Sequence, residues 1–401
     1  MNALEGVMLL DFGQYLAGPF GPMIIGDLGA DVIKVEPLTG DGMRFVNQPF
    51  MGCQRGKRDI ALDIKHERGK EIALKLIERA DIVHHNMTVG TAARLGIAYE
   101  DCKKVNPDVV YCNTYAYGLD EPLGKFGGLD PLYQATAGLE YESGPVHEGN
   151  PPMYYRFGMC DTANAMLSVL GCLLGLYHQR KTGEGQELWT SLLDGGAMFS
   201  SDVLLVDGKT HPYPRLDKDQ TGLGACYRLY ETSDGWLQLA AVTEEQWRGL
   251  CQITRLSELV DDPRFADEKA RDTNRTALEE ILGARFRERT ALTWMRLLTD
   301  AGVPSEVPVD PKGGELMFFD ADNEKLGLVA EYEHPILGTM RQYGSLIDFS
   351  ETPTRARSAP PMVGQHTREI LGELGYADEE MDQLKADKAV YWPDDSYMWT
   401  V

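Results

Sequence analysis

Positive charge and histidine are scarce in this chain. Its 401 residues carry 39 lysines and arginines and eight histidines against 62 aspartates and glutamates, a formal net charge of −23 at pH 7. That balance excludes general affinity for nucleic acid or for anionic membranes, which attract proteins of the opposite sign. A phosphate-bearing ligand would need a local basic patch. Cysteine is also sparse. The seven residues at 53, 102, 112, 160, 172, 226 and 251 form no CxxC pair and no Cys/His cluster at zinc spacing. Neither a metal site nor a disulfide framework is expected, and a reducing, cytoplasmic setting fits. The opening MNALEGVMLLDFG has no basic segment ahead of an apolar one, so no signal peptide is expected. No apolar run reaches the length of a membrane span; residues 165–177 come nearest but are too few and amphipathic. There is no internal repeat and no low-complexity tract.

What is present is an alternation of strand and helix patterns. Residues 7–12, 31–36, 60–64, 82–85 and 109–117 read as strands, with helical spacing over 18–28 and 66–80. This predicts a mostly parallel sheet in a doubly wound α/β domain. The strongest helix covers 162–179, with a broad apolar stripe and stop signals at 181–185. Asp161 stands directly before it and reads as its N-cap. Residues 185–191 read as a further strand. A polar, proline-containing stretch without periodicity, 201–221, reads as a linker. A small α+β unit over 222–325 follows, with a hairpin turn at Ser233-Asp234-Gly235 and helices over 244–253, 274–287 and 291–301. After residue 309 the chain is again irregular and strand-like, through residues 338–347, with a last helix over 365–374. An aromatic tail, Tyr391-Trp392 with Tyr397 and Trp399, is expected to pack on the body or on a second subunit.

The first strand, glycine turn and helix suggest a dinucleotide site, but the loop reads Gly13-Gln-Tyr-Leu-Ala-Gly18-Pro19-Phe-Gly21. Proline, Tyr15 and Leu16 stand where a pyrophosphate needs bare backbone, so a nicotinamide cofactor is not expected. The one concentrated basic segment is Arg55-Gly-Lys57-Arg58, which by itself reads as a solvated turn.

Taken in order, these segments resemble the class III CoA-transferases, a family that includes formyl-CoA transferase, carnitine CoA-transferase and the α-methylacyl-CoA racemases. The likeness is carried by LDFGQYLAGPF and DLGADVIKVE, by Gln54–Arg58 with IALDIK, and by ADIVHHN with Arg94-Leu95-Gly96. DPLYQATAG, Gly158-Met-Cys-Asp161 and HQRKTGEG continue it. It implies a Rossmann-like large domain built from both chain ends, residues 1–200 with a return over 326–401, a small inserted α+β domain, and an interlocked homodimer. It also implies acyl-CoA and a carboxylic acid as substrates, with no tightly bound cofactor and no metal.

The resemblance makes Asp161 the nucleophile. It sets Tyr15 and Leu16 near the thioester, Asn86 and Met87 beside the pantetheine, and Arg94, Leu95, Arg55, Lys57 and Arg58 toward phosphates or adenine. Gly222 and Gly224 are implied as oxyanion donors. At Leu16 formyl-CoA transferase carries glutamine, which tells against formyl-CoA and oxalate as the natural pair. Glu244 matches a glutamate that the racemases use, but as a first-turn acid it is also ordinary helix chemistry. Leu129 stands where the racemases need histidine, which removes half of a two-base site and favours transfer over epimerisation. A CoA-binding, non-catalytic subunit is the further alternative. The aromatic segment 144–157, with Arg156, is expected to shape an acyl or acceptor pocket.

Overall fold

The computed structural model describes residues 2–46, 48–119, 123–308 and 317–393. It divides into two compact units. The first comprises Met1–Ala137, Tyr155–Ser201 and Met317–Val401; the second comprises Gly138–Tyr154 and Asp202–Leu316. Residues 138–154, expected in the large domain, group with the second unit.

The first unit holds a seven-stranded sheet. Its parallel strands are β1 (Met8–Asp11), β2 (Asp31–Glu36), β3 (Arg58–Leu62), β4 (Ile82–His85), β5 (Val110–Tyr115) and β6 (Glu187–Ser191). They lie in the order β3-β2-β1-β4-β5-β6. Buried on both faces, β1 to β5 read as near-continuous apolar runs, as strands of a covered parallel sheet do. The order reverses direction between β1 and β4. Such a switch opens a crevice at the carboxyl ends of the strands, where ligands of doubly wound sheets bind. A seventh strand, Val390–Tyr391, adds antiparallel to β3. Neither it nor the helix Asp378–Ala386 was expected from the sequence. Trp392 packs on the main core, with Arg368 and Lys385 over its ring at 5.2 and 4.5 Å. Tyr397 and Trp399 lie outside the described residues.

The long helix runs from Met159 to Thr182, 24 residues. By length and composition it could cross a membrane, which corrects the expectation that no segment is long enough. Half of its most apolar stretch is buried within the protein. Ala165, Val169, Cys172 and Leu176 pack with Phe20, Ile24, Val110 and Cys112 in one apolar cluster. Met166, Leu170, Leu174 and Tyr177 remain exposed.

The second unit has a four-stranded sheet in which Trp236–Ala240 and Tyr227–Glu231 form the expected hairpin. The helices Glu244–Thr254, Arg275–Phe286 and Ala291–Asp300 cover a core that includes Trp247, Phe265, Phe286 and Trp294. Residues 201–221, expected as a linker, contain a short hairpin, Leu205–Val206 with Lys209–Thr210.

The basic segment is not a solvated turn: its charges are paired within the fold. Arg55 is fully buried and donates to Asp27 at 2.7 Å, to the Gly344 carbonyl at 2.8 Å and to the Tyr343 carbonyl. Lys57 Nζ donates to Asp11 Oδ2 at 2.7 Å, the Pro19 carbonyl at 2.7 Å and Gln54 Oε1 at 2.8 Å, which uses all three of its protons. Arg58 pairs with Asp31, Glu369 and Glu373. Composition along the chain concealed this, because the neutralising acids come from distant segments. Burial alone would raise the Asp11 carboxyl, yet Lys57, His84 and Lys34 hold it well below the usual range. Lys57→Met would strand Asp11 as an unpaired buried charge. It should cost about 3–5 kcal/mol in urea unfolding while leaving CoA affinity of the folded protein intact. Unchanged stability with lost CoA affinity would instead return Lys57 to the ligand site.

Candidate functional site

The turn after β1 is built for close approach. A Cβ on Gly13 would meet Asp11 Oδ1 at 2.6 Å and the Gly18 carbonyl carbon at 2.8 Å; one on Gly18 would meet Asn86 Cγ at 2.7 Å. The loop therefore folds tightly around the end of β4. Asn86 Oδ1 accepts from the Gln14 N–H and its Nδ2 donates to the Gln14 carbonyl, both at 2.8 Å. Its amide thus serves as a clamp on the loop. Tyr15 has φ of 63°, in the left-handed region. For a bulky side chain this costs on the order of 1–3 kcal/mol, and such strain concentrates at functional sites. The Tyr15 ring is about half exposed.

Leu16, the next residue, points toward Asp161. A Cβ placed on Gly158 would lie 2.9 Å from Leu16 Cδ2 and 3.3 Å from Asp161 Oδ2, so both side chains flank one vacant position that only glycine leaves open. Gly158 is the N-cap of the long helix, and Asp161 is its third residue. The expectation that Asp161 itself caps the helix is thereby corrected. An N-cap side chain would normally accept the N–H of that third residue. Glycine has none, and Asp130 Oδ2 takes the Asp161 N–H at 2.8 Å instead. Gln134 steadies Asp130 and also donates to the Phe157 carbonyl at 2.8 Å.

Among the described residues, no donor reaches the Asp161 carboxylate. Burial, and then the nearby charge of Asp130, push its pKa from the ordinary 3.8 up to about 7. Enough anion is present at neutral pH for attack on a carbonyl.

Beside the loop, at the ends of β1 to β4, lies a cleft of ≈ 390 Å³. Its walls include Phe12, Gln14, Leu38, Lys65, Met87 and Leu95. Of the residues expected at a CoA site, the structure gathers Met87 and Leu95 here, with Asn86 at the loop. Arg94 is exposed one residue away from Leu95 and donates to Thr91 Oγ1 at 2.7 Å. Lys65 and the Pro37–Thr39 turn also line the cleft and were not among the expected residues. Both lie directly beyond strands, DVIKVE and IALDI, whose ends could have flagged them.

The model of CoA-transferase family III matches residues 4–367 of the chain. The chain belongs to that family. Among its relatives, the succinyl-CoA:glutarate CoA-transferase of Mus musculus is 34% identical, covering 94% of this chain and 88% of that one. The human enzyme of the same name is 32% identical over 96% and 89%. The structure of a CAIB/BAIF family protein from Brucella suis superposes with a TM-score of 0.81 at 27% identity, covering 93% of this chain and all of that one. The protein is a CoA-transferase with the mixed α/β fold of its family.

In this transferase the walls of the cleft do not include Arg55, Lys57, Arg58 or Arg156. Arg55, Lys57 and Arg58 serve the fold, as above. Arg156 is exposed and lies 4.6 Å from the centroid of the Phe157 ring. Gly222 and Gly224 form an edge strand of the second unit, where a Cβ on Gly222 would strike Arg228 and the Tyr227 carbonyl. Packing therefore accounts for Gly222. Glu244 is in the first turn of its helix and pairs with Arg271.

Because the folded pKa of Asp161 lies above its unfolded value, the folded state binds the proton more tightly. Stability from this group is present at low pH and is lost as pH rises toward 7. Asp161→Asn should therefore raise the melting temperature by a few degrees at pH 8, by less than half as much at pH 5, and little below the unfolded value of 3.8. Asp130→Asn removes the neighbouring charge and should move the acid limb of activity below pH 7, by about one unit or less because burial remains. Both effects are read by thermal melts and pH–rate profiles.

Proposed function

We propose that this enzyme transfers CoA from an acyl-CoA donor to a carboxylic acid, with Asp161 as the covalent nucleophile, and that its substrates are short dicarboxylates of the succinate and glutarate type. The Asp161 carboxyl, half-buried at the start of the long helix between Leu16 and Asp130, carries the reading. As the anion it attacks the thioester carbonyl and expels CoA thiolate, leaving a mixed anhydride. The thiolate attacks the Asp161 carbonyl of that anhydride, releasing the donor acid and forming an aspartyl-CoA thioester. The acceptor carboxylate attacks this thioester, again expelling thiolate. Thiolate then attacks the acceptor carbonyl, giving the new acyl-CoA and restoring Asp161. No proton is gained or lost, so an aspartate suffices without a paired base. The relatives' names support the dicarboxylate class.

The cleft residues Met87, Leu95 and Lys65, with exposed Arg94, are assigned to CoA. Leu129 is 64% exposed and aliphatic, which tells against α-proton exchange. Leu170, Leu174, Tyr177 and Trp189 are each more than half exposed, and we assign their cover to a second copy of the chain in a homodimer. All seven cysteines are free, in keeping with a reducing, cytoplasmic setting.

Incubation with succinyl-CoA and glutarate should yield glutaryl-CoA, and hydroxylamine added with donor alone should leave a hydroxamate on Asp161, read by mass. Asp161→Asn should lower turnover by at least about a thousandfold. Absence of the adduct, or deuterium uptake at the α-carbon without an acceptor, would reject the transfer mechanism. Sedimentation of the free protein as a monomer would reject the dimer.

A further inference from the structure

The loop after β1 is gripped from beneath by residues that no step above uses. Lys34, on β2, is fully buried; its Nζ donates to the Gly13 carbonyl at 2.8 Å and to Asp41 Oδ2 at 3.0 Å. Asp41 is fully buried too, and its other oxygen accepts the Tyr15 N–H at 3.1 Å and the Met43 N–H at 2.9 Å. Glu36 fixes Asp41 in turn by accepting its backbone N–H. With Asn86 on Gln14, the backbones of residues 13, 14 and 15 are each held by a side chain. That exceeds what a simple connection needs. It suits a loop whose central tyrosine is kept at φ of 63°, a conformation that persists only where its surroundings over-determine it. The following residue, Leu16, borders the vacant position beside Asp161.

We propose that the Lys34–Asp41 ion pair is a positioning device for the transfer reaction: it locks Tyr15 in the left-handed conformation and thereby seats Leu16 beside the Asp161 carboxylate. The proposal rests on the reading of Asp161 as the nucleophile. Neither Lys34 nor Asp41 touches a reacting atom. Without the pair, Tyr15 relaxes to negative φ, Leu16 leaves its place, and the side of the nucleophile that it lines is opened.

A purely structural pair behaves differently. Removing both charges together leaves no stranded ion and is often neutral for stability. The informative variant is therefore Lys34→Met with Asp41→Asn. Its thermal midpoint should stay close to that of the parent. Hydrogen exchange in the free protein should speed up by about tenfold in the peptide covering residues 12–19, with β2 and β4 unchanged. The kcat for CoA transfer should fall by about tenfold or more, with KM for the acyl-CoA within about threefold, because orientation and not binding is lost. In a Tyr15→Gly background, where positive φ carries no penalty, the same double replacement should lower kcat much less. Should the double variant not fold, the isosteric Asp41→Asn alone is held to the same exchange and kinetic criteria. Parental exchange and kcat would overturn the proposal. So would faster exchange throughout the sheet, which marks a structural pair. Exchange is read without substrate, so it stands apart from the assignment of Asp161. A loosened loop in the variant, with no Asp161 adduct in the parent, would overturn the nucleophile reading and the catalytic half of this proposal with it.

Discussion

Lys57 and Lys34 carry two positive charges into the interior beneath the strand ends, where the carboxylates of Asp11 and Asp41 neutralise them. Each ammonium also binds one end of the loop after β1: Lys34 takes the Gly13 carbonyl and Lys57 takes the Pro19 carbonyl. In low dielectric such charge-assisted bonds are strong, and each is costly to break because it leaves a stranded charge. Burial lowers the Lys57 pKa, whereas Asp41, Glu36 and Asp11 outweigh burial at Lys34 and raise it. The loop is thus anchored at both feet to ions that belong to the sheet, and its glycines let it close over Asn86.

Above this foundation the electrostatics are reversed. Below the loop every buried acid named has a cation or backbone donor close by. Asp161 has neither among the described residues, and its nearest charged neighbour is another carboxylate. A carboxylate starved of partners has its negative charge available for a carbonyl carbon. The fold supplies the isolation through Gly158, which removes the usual cap, and through Asp130, which replaces that cap from a different helix without offering a proton donor to the nucleophile.

The doubly wound sheet was legible because buried parallel strands leave contiguous apolar runs with glycine turns between them. The hairpin at Ser233-Asp234-Gly235 was legible for the same local reason. The long helix was found, but its start was placed three residues late, since glycine is a weak start signal and Asp161 a strong one. The Val390–Tyr391 strand was invisible: two residues have no periodicity, and only pairing with β3 makes them a strand. At the site, residue chemistry alone gave Asp161 as a cap, and family resemblance supplied the nucleophile. The basic segment at 55–58 was misjudged because charge can be counted along a chain, but its neutralisation depends on which acids the fold brings near. The partnership of Asp130 with the Asp161 N–H, and of Lys34 with Asp41 and Gly13, had no local signature at all.

The pairing of Val390–Tyr391 with β3 also bears on how the protein is made. On the ribosome, β3 is synthesised well ahead of its partner, and its outer edge offers unpaired backbone groups until the segment around Val390 has emerged. The parallel strands can assemble on the nascent chain, but that edge stays open until the segment around Val390 has been made. A chain stalled or truncated before this point would carry a finished cleft and an unguarded sheet border, a combination that invites pairing with other chains before release.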